Sequence, residues 1–192
     1  MRELREMIQS QGVGMSGGVV RVDGFLNHRV NTGLLMRMGY AFFDEFHTKK
    51  VDLILTVESG GIPIAMTTAQ AFGDLPVVYA KKGEPANMNA SFYESRLYSY
   101  THGKEATIRV SREYLPRGAN VLIVDDFLAN GEAARALIQI VKQAEAHVTG
   151  VGVCVEKAFQ SGGASLRSAG FKVVALATIA GIRNGKVILQ EP

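Results

Sequence analysis

The feature that most constrains the fold is a short apolar run that ends in two adjacent carboxylates. Residues 120–124 read Asn-Val-Leu-Ile-Val, and Asp125 and Asp126 follow directly. A run this short and rich in β-branched residues predicts a strand that is buried on both faces, as in a parallel sheet. Because an unpaired buried carboxylate is costly, the acid pair predicts a functional role for the end of this strand. The plainer alternative is an ordinary strand-to-helix turn whose aspartates only cap the helix.

The turn after the acid pair predicts an anion site. Five small or polar residues lead from the turn into the next helix: Ala129, Asn130, Gly131, Glu132 and Ala133. Successive backbone N–H groups at a helix N-terminus bind anions such as phosphate. Carboxylates that bind hydroxyls, beside amides that bind a phosphate, indicate a pocket for a sugar phosphate.

Apolar runs and helical patterns alternate along most of the chain. Strands are predicted at 51–57, 75–80, 120–124, 147–155 and 171–179. Helices are predicted at 2–11, from Asn31 or Thr32 to about Lys50, and at 62–72, 132–146 and 164–169. This alternation predicts βαβ crossovers and a doubly wound, mostly parallel α/β sheet. Ligands in such sheets bind where the strands end, and the residues that follow strands here are Glu58, Lys81, Asp125, Glu156 and Lys157.

Residues 81–118 break this alternation. Within them, 97–101 and 106–110 alternate like an antiparallel pair joined at 102–104. An excursion of this length in a compact domain is usually functional or mobile, so we expect a flexible flap over the pocket.

The stretch from the apolar run to Ala133 resembles the phosphoribosyl-pyrophosphate (PRPP) signature of type I phosphoribosyltransferases, in the form found in the bacterial xanthine phosphoribosyltransferases. The likeness extends over nearly the whole chain. It implies the type I phosphoribosyltransferase fold, a mostly parallel twisted sheet flanked by helices, in a single domain over 1–192. It also implies a small N-terminal hood over the base, to which residues 1–30 contribute, and the flexible β-flap at 81–118.

The resemblance assigns residues to the pyrophosphate of PRPP. These are Ser59, Gly60 and Gly61 in the loop after the first core strand, and Lys81 and Lys82 after the next. From the residues alone, a glycine pair in such a turn is a weak signal, and a lysine pair is more often solvated. The family's mobile loop closes over PRPP with a Ser-Tyr pair, which matches Ser99-Tyr100 here; the alternative for these two is cross-strand packing.

The resemblance also assigns residues to binding of the purine base. Lys157 would donate to the exocyclic oxygen of xanthine, and Asn27, with the backbone around Val20, would belong to the hood. Leucine would be expected at position 20, so valine is a mild departure in the base pocket. Three aromatic side chains are candidates for stacking on the base: Phe25, Phe127 and Phe159.

Composition limits the partners and the compartment. The formal net charge of +3 is spread along 192 residues, which fits a small polyanionic substrate better than nucleic acid. Cys154 is the one cysteine and lies in an apolar run, so we expect a buried thiol and a reducing cytoplasm. No apolar stretch approaches the length that spans a bilayer, which predicts no membrane partner.

Taken together, the resemblance implies transfer of the 5-phosphoribosyl group from PRPP to xanthine, giving XMP and pyrophosphate in purine salvage. Asp125 and Asp126 would fix the ribose hydroxyls, and Mg²⁺ would arrive with PRPP, without direct protein ligands. A homodimer is implied as well. The alternatives are the same chemistry on guanine, hypoxanthine or adenine, and a PRPP-binding regulator. Purine repressors of that kind carry a winged-helix segment ahead of this domain, for which about eighteen residues leave no room. An ammonium at position 157 would oppose the exocyclic amine of adenine.

Overall fold

The computed structural model describes residues 1–83, 91–99 and 104–191, with the side chains of 98, 99, 104 and 105 outside that description. The helices are α1 (Arg2–Gln11), α2 (Thr32–Phe46), α3 (Gly61–Ala71), α4 (Glu132–Gln143) and α5 (Gly162–Ser168). The first strands are β1 (Val13–Gly14), β2 (Val20–Arg21), β3 (Leu53–Val57), β4 (Val77–Lys82) and β5 (Phe92–Ser99). The others are β6 (Lys104–Ser111), β7 (Asn120–Leu128), β8 (His147–Lys157), β9 (Val173–Arg183) and β10 (Lys186–Leu189).

Eight of the strands form one sheet in the order β10-β9-β8-β7-β3-β4-β6-β5, and β1 pairs with β2 separately. The five central strands are parallel, while β10 on one side and β6 and β5 on the other are antiparallel. The chain passes from β3 outward to β4, then returns to β7 on the other side of β3 and continues to β8 and β9. The strand order therefore reverses between β3 and β7, and a crevice opens at the carboxyl ends of these two neighbours. The predicted α/β fold is confirmed.

Both faces of the sheet are covered, as expected for β-branched strands buried on two sides. On one face, α1, α2 and α3 contribute to a cluster that includes Phe42 and Phe46, both fully buried. On the other face, α4 packs Leu137 and Val141 against the strands. A Cβ at Gly152 of β8 would lie 2.9 Å from the Phe42 ring, so this strand glycine makes room for the aromatic side chain of α2.

Helix α2 shows how the local sequence sets an element boundary. Asn31 is its N-cap, because the side-chain oxygen accepts a hydrogen bond from the Leu34 N–H at 3.1 Å. The prediction of a cap at this position is confirmed. The helix ends at Phe46, however, and not near Lys50.

Several other elements differ from the prediction: β8 and β9 extend further, to Lys157 and Arg183, and α4 ends earlier, at Gln143. Strand β7 does not stop at Val124 but continues through the acid pair to Leu128, because its pairing with β8 persists as far as Leu128 opposite Glu156. Strand β10 was not predicted; a turn at Asn184 and Gly185, both with positive φ, folds it back on β9.

The predicted flap contains a longer hairpin than the sequence suggested. Strands β5 and β6 are antiparallel along their full length, ending at Ser99 opposite Lys104. The Gln143 side chain of α4 exchanges two hydrogen bonds with the Glu94 backbone, at 2.7 and 3.2 Å, which fixes the base of the hairpin. Residues 84–90 and Tyr100 of this segment lie outside the described residues, as does most of the predicted turn.

Candidate functional site

The acid pair lies in the last part of β7, at the crevice between β7 and β3. Asp125 is only 8% exposed, and its Oδ1 accepts a hydrogen bond from the Asp126 N–H at 2.9 Å. Burial raises the pKa of the Asp125 carboxyl well above its usual range, and the neighbouring charge of Asp126 adds to the effect. Asp126 is less buried, and its Oδ1 accepts from the Phe127 N–H at 2.9 Å. Two carboxylates in different environments therefore face the same crevice.

The glycine loop after β3 packs directly on the acid pair. It connects Val57 to the start of α3 at Gly61, and the peptide between Glu58 and Ser59 is cis. A Cβ at Gly60 would lie 2.9 Å from Asp126 Cγ, and one at Gly61 would lie 2.8 Å from Asp125 Oδ1. The loop can come this close to the carboxylates only because neither residue has a side chain.

A buried hydroxyl lies beneath this contact. Thr56 of β3 is fully buried, and among the described residues its Oγ1 has no hydrogen-bond partner. It is also the nearest atom to a Cβ placed on Gly61. A buried threonine in an apolar strand is a common core residue, so the sequence carried no signal for it.

The two predicted lysines are the last two residues of β4, and their side chains have different neighbours. The Lys82 backbone N–H donates to Glu58 Oε1 at 2.6 Å, which joins the end of β4 to the glycine loop. The Lys82 charge also acts on Asp125, where it opposes the rise in that carboxyl's pKa as a smaller effect. The Lys81 ammonium instead lies 5.8 Å from the centre of the Tyr79 ring, and that ring is 40% exposed.

The turn between β7 and α4 is held in place by neighbouring elements. Gly131 is the N-cap of α4, with φ at 84°, a conformation that favours glycine. The Gly162 N–H donates to Ala129 O at 3.1 Å, and an Arg135 guanidinium nitrogen donates to Asn130 O at 2.6 Å.

Within the part of the chain that the structure describes, no side-chain hydrogen bond caps the N-terminus of α4. Because Gly131 has no side chain, it cannot cap the first N–H groups of α4, which begins at Glu132. Uncapped N–H groups at a helix N-terminus favour an anion, and here they follow Asp125 and Asp126 closely in the chain. The Glu132 carboxylate itself points away into an ion pair with Arg135 at 2.6 Å.

Of the three residues assigned to the base, Asn27 contacts the acid pair, Lys157 lies over the adjacent Phe127, and Val20 has no contact with the pair among the described interactions. The Asn27 side-chain nitrogen donates to Asp126 Oδ2 at 2.8 Å. Lys157 Nζ donates to Gly18 O at 3.0 Å and lies 5.5 Å from the centre of the Phe127 ring. Burial lowers the pKa of the half-buried Lys157 ammonium. Val20 is buried in the core, so only its backbone can face a base.

The three phenylalanines considered for stacking on the base differ in how deeply they are buried. Phe25 is 1% exposed inside the hydrophobic core, so its candidacy was wrong. Phe127 adjoins the acid pair and lies beneath Lys157. Phe159 is 40% exposed and sits against Gly18, where a Cβ would be 3.2 Å from its ring.

A cavity of about 960 Å³ lies between α1 and α5 and not at the acid pair. The three arginines that line it are already bonded: Arg2 to Glu6, Arg5 to the Gln190 carbonyl and Arg167 to Glu156. Its size alone does not make it the reactive site. The carboxylates, glycine loop and helix N-terminus meet in the crevice between β3 and β7, and that crevice is the candidate site.

No cluster of three or more His, Cys, Asp or Glu side chains with a geometry that could bind a metal occurs within the described ranges. Within the same ranges, no helix is both long enough and apolar enough to cross a membrane.

Comparison with known proteins gives consistent matches. The phosphoribosyl transferase domain matches residues 33–181. Xanthine phosphoribosyltransferase from Clostridioides difficile (strain 630) is 43% identical over 187 residues, which is 97% of this chain and 98% of that protein. Xanthine phosphoribosyltransferase from Geobacillus thermodenitrificans (strain NG80-2) is 44% identical over 191 residues, 100% of this chain and 98% of that protein. The crystal structure of adenine phosphoribosyltransferase from Saccharomyces cerevisiae superposes with a TM-score of 0.73 at 22% identity, covering 92% of this chain and 99% of that one. At that identity the superposition demonstrates a common fold.

Proposed function

The chain belongs to the phosphoribosyltransferase family, and on that premise we propose that it transfers the 5-phosphoribosyl group from PRPP to xanthine, giving XMP and pyrophosphate for purine salvage. The observation that carries the proposal is the meeting of three groups in one crevice. Asp125 and Asp126 touch the glycine loop at Gly60 and Gly61, and the N-terminus of α4 follows directly. The curated relatives that share the chain's whole length carry the name of this activity.

PRPP binds across the crevice with its two ends on the two loops. Its 5-phosphate accepts hydrogen bonds from the N–H groups between Ala129 and Ala133, where the helix N-terminus favours an anion. Its pyrophosphate lies on the loop at 59–61, with Lys81 and Lys82 supplying positive charge. This orientation presents the ribose to the acid pair between the loops.

The acid pair stabilises the reacting sugar. Departure of pyrophosphate leaves positive charge on the ribose, so fixed carboxylates favour the transition state over the ground state. Asp126, the more accessible of the two, binds the ribose hydroxyls, and the more deeply buried Asp125 supports it through the 2.9 Å hydrogen bond from the Asp126 N–H. Positioning and charge carry the rate enhancement, and no covalent intermediate is required.

Mg²⁺ is the implied cofactor, bound with PRPP. Mg²⁺ prefers hard oxygen ligands and usually keeps several waters and substrate phosphates as ligands, so the oxygens of PRPP would supply most of its coordination. Asp126, supported by Asp125, would hold it indirectly, through the ribose hydroxyls that Asp126 binds. When present, it neutralises the leaving pyrophosphate.

The base is selected on the hood side. The Lys157 ammonium donates to an exocyclic oxygen of xanthine, and Asn27 and the backbone at Val20 contact the rest of the ring edge. An oxopurine accepts at this position, whereas adenine presents an amine donor. The flap, including Ser99 and Tyr100, closes over PRPP and keeps water from the sugar.

The proposal includes a homodimer in the cytoplasm. The family resemblance supports the dimer, and light scattering on the purified protein tests it. The buried state of Cys154, the one cysteine, suits a reducing compartment.

A steady-state assay tests the activity. Purified protein with PRPP and Mg²⁺ is offered xanthine, guanine, hypoxanthine and adenine in turn, and pyrophosphate release is measured. We expect the largest kcat/KM with xanthine. Preference for adenine would overturn the role of Lys157, and no release with any base would favour the PRPP-binding regulator.

A further inference from the structure

An ion pair between a buried glutamate and an exposed arginine lies near the candidate site. Glu156, the residue before Lys157, is 4% exposed. Both of its carboxylate oxygens accept hydrogen bonds from Arg167 of α5, at 2.7 and 2.6 Å. This fork geometry is the strongest form of an arginine–carboxylate contact, and it fixes the two groups in orientation as well as distance.

The Glu156 carboxylate also packs against the first turn of α5. A Cβ on Gly163 would lie 2.6 Å from Glu156 Cδ, so the carboxylate occupies the space above this glycine. The preceding residue, Gly162, faces the turn between β7 and α4. Its N–H donates to Ala129 O at 3.1 Å, and a Cβ there would lie 2.6 Å from the Gly131 nitrogen.

These contacts form a continuous path from the ion pair to the turn that precedes α4. Arg167 forms the ion pair with Glu156, and the Glu156 carboxylate packs on the α5 backbone at Gly163. The neighbouring Gly162 contacts the turn at Ala129 and Gly131. We propose that Glu156 and Arg167 are positioning residues, which set the first turn of α5 against the loop that binds the 5-phosphate of PRPP. This inference rests on the proposed function, because it assigns the 5-phosphate to that loop.

The path predicts an effect on one substrate and not on the other. Lys157 is held by Gly18 of the hood and lies over Phe127, with no contact to Arg167 or α5 among its described interactions. The pyrophosphate loop at 59–61 lies across the crevice on β3. Loosening the ion pair should therefore weaken binding of the 5-phosphate and leave the base and the pyrophosphate unaffected.

The test uses Glu156→Gln, which keeps the side-chain shape and removes the charge. Steady-state kinetics gives KM for PRPP and for xanthine separately, and calorimetry gives Kd for ribose 5-phosphate and for pyrophosphate. We expect KM for PRPP and Kd for ribose 5-phosphate to rise about tenfold, since displacement of a binding loop by an ångström has effects of this size or larger. KM for xanthine and Kd for pyrophosphate should stay within about twofold of wild type.

A matched control is available at the opposite end of the sheet. Glu145 pairs with Arg117 at 2.8 Å on the exposed surface, so Glu145→Gln removes the same charge without touching the path, and every constant should be unchanged. Arg167→Lys keeps the positive charge but not the fork, and should show an intermediate effect. It also replaces Glu156→Gln as the test if that variant does not fold.

The outcomes separate this inference from the proposed function. If the wild type neither binds ribose 5-phosphate nor releases pyrophosphate, the proposed function fails. If the wild type does both and the variant matches it in KM for PRPP and in Kd for ribose 5-phosphate, the positioning role is wrong. Equal weakening of xanthine and PRPP would also overturn it, because a general loss of order has no preference between substrates.

Discussion

Asn27 donates a hydrogen bond to Asp126 Oδ2 at 2.8 Å, although the two residues are 99 positions apart in the chain. The hood that is proposed to cover the base therefore contacts the carboxylate that is proposed to bind the ribose. Asp126 Oδ1 accepts from the Phe127 N–H, so both oxygens of this carboxylate have fixed donors. Orientation of the acid and placement of the hood are consequently linked through one side chain.

This link predicts different outcomes for two substitutions at the same position. Asn27→Ala removes the donor, and we expect kcat/KM for xanthine to fall about tenfold, the equivalent of about 1.4 kcal/mol. Asn27→Asp removes the donor and also sets a second negative charge against Asp126. We expect a further tenfold loss from that repulsion.

Steady-state kinetics with xanthine varied at saturating PRPP compares the two variants. Should the aspartate variant be as active as the alanine variant, the contact with Asp126 would have no role in the working enzyme.

The two halves of the crevice should respond differently in kinetics. Asp126→Ala removes a carboxylate that acts on the charged transition state, so we expect kcat to fall by about a hundredfold or more. Lys157→Ala removes a contact to the base, so KM for xanthine should rise with a smaller change in kcat. Measuring both parameters for both variants tests the division of roles, and equal effects on every parameter would contradict it.

Local patterns predicted the framework around this site well. The apolar run at 120–124 is a central strand, and Asn31 caps α2, because burial and capping depend on a few adjacent residues. The strand ends were less predictable. Strand β7 runs through Asp125 and Asp126 because β8 continues to pair beside it, and pairing is a property of two segments.

Contacts between distant segments carried no signal in the sequence. Glu156 was noticed only because it follows the predicted strand at 147–155, and nothing in its neighbourhood indicated Arg167 as its partner. The same is true of Asn27 with Asp126. Asn27 reaches Asp126 from the loop ahead of α2, and Arg167 reaches Glu156 from the helix that follows β8; local periodicity encodes neither approach.

Gly60 offers a substitution that isolates one close contact. Its backbone has φ at −64° and ψ at −30°, so alanine fits the backbone without strain. A Cβ there would lie 2.9 Å from Asp126 Cγ, however, and the carboxylate would have to move. We expect Gly60→Ala to lower kcat at least tenfold while the midpoint of thermal unfolding changes little. Gly181→Ala is the matched control, because a Cβ at that position has no neighbour within 4 Å. Normal turnover in Gly60→Ala would show that the position of Asp126 tolerates displacement.

The buried carboxyl of Asp125 makes a prediction about stability and pH. Its pKa is raised in the folded protein, mainly by burial and then by the charge of Asp126. The folded state therefore holds this proton more tightly than the unfolded state does, and the free energy of unfolding falls as pH rises from the usual carboxyl range to the raised pKa. Asp125→Asn removes the titration while keeping the shape of the side chain.

The difference between variant and wild type cancels the titrations of groups that do not interact with Asp125, and leaves the titration of Asp125 coupled to that of Asp126. Urea unfolding at a series of pH values from 4 to 8 should show that the free energy of unfolding of Asp125→Asn increases relative to that of the wild type as pH rises. This difference should grow by about 1.4 kcal/mol for each pH unit between the pKa of Asp125 in the unfolded state and its raised pKa in the folded state, and should be constant at higher pH.

Asp52→Asn should show the opposite dependence of stability on pH. The pKa of the Asp52 carboxyl is lowered, first by the hydrogen bond from the Asn120 backbone, so its removal costs stability as pH rises through the carboxyl range. A pH-independent difference for Asp125→Asn would mean that the carboxyl is not held in a desolvated environment, and would remove the physical basis for giving Asp125 a supporting role distinct from that of Asp126.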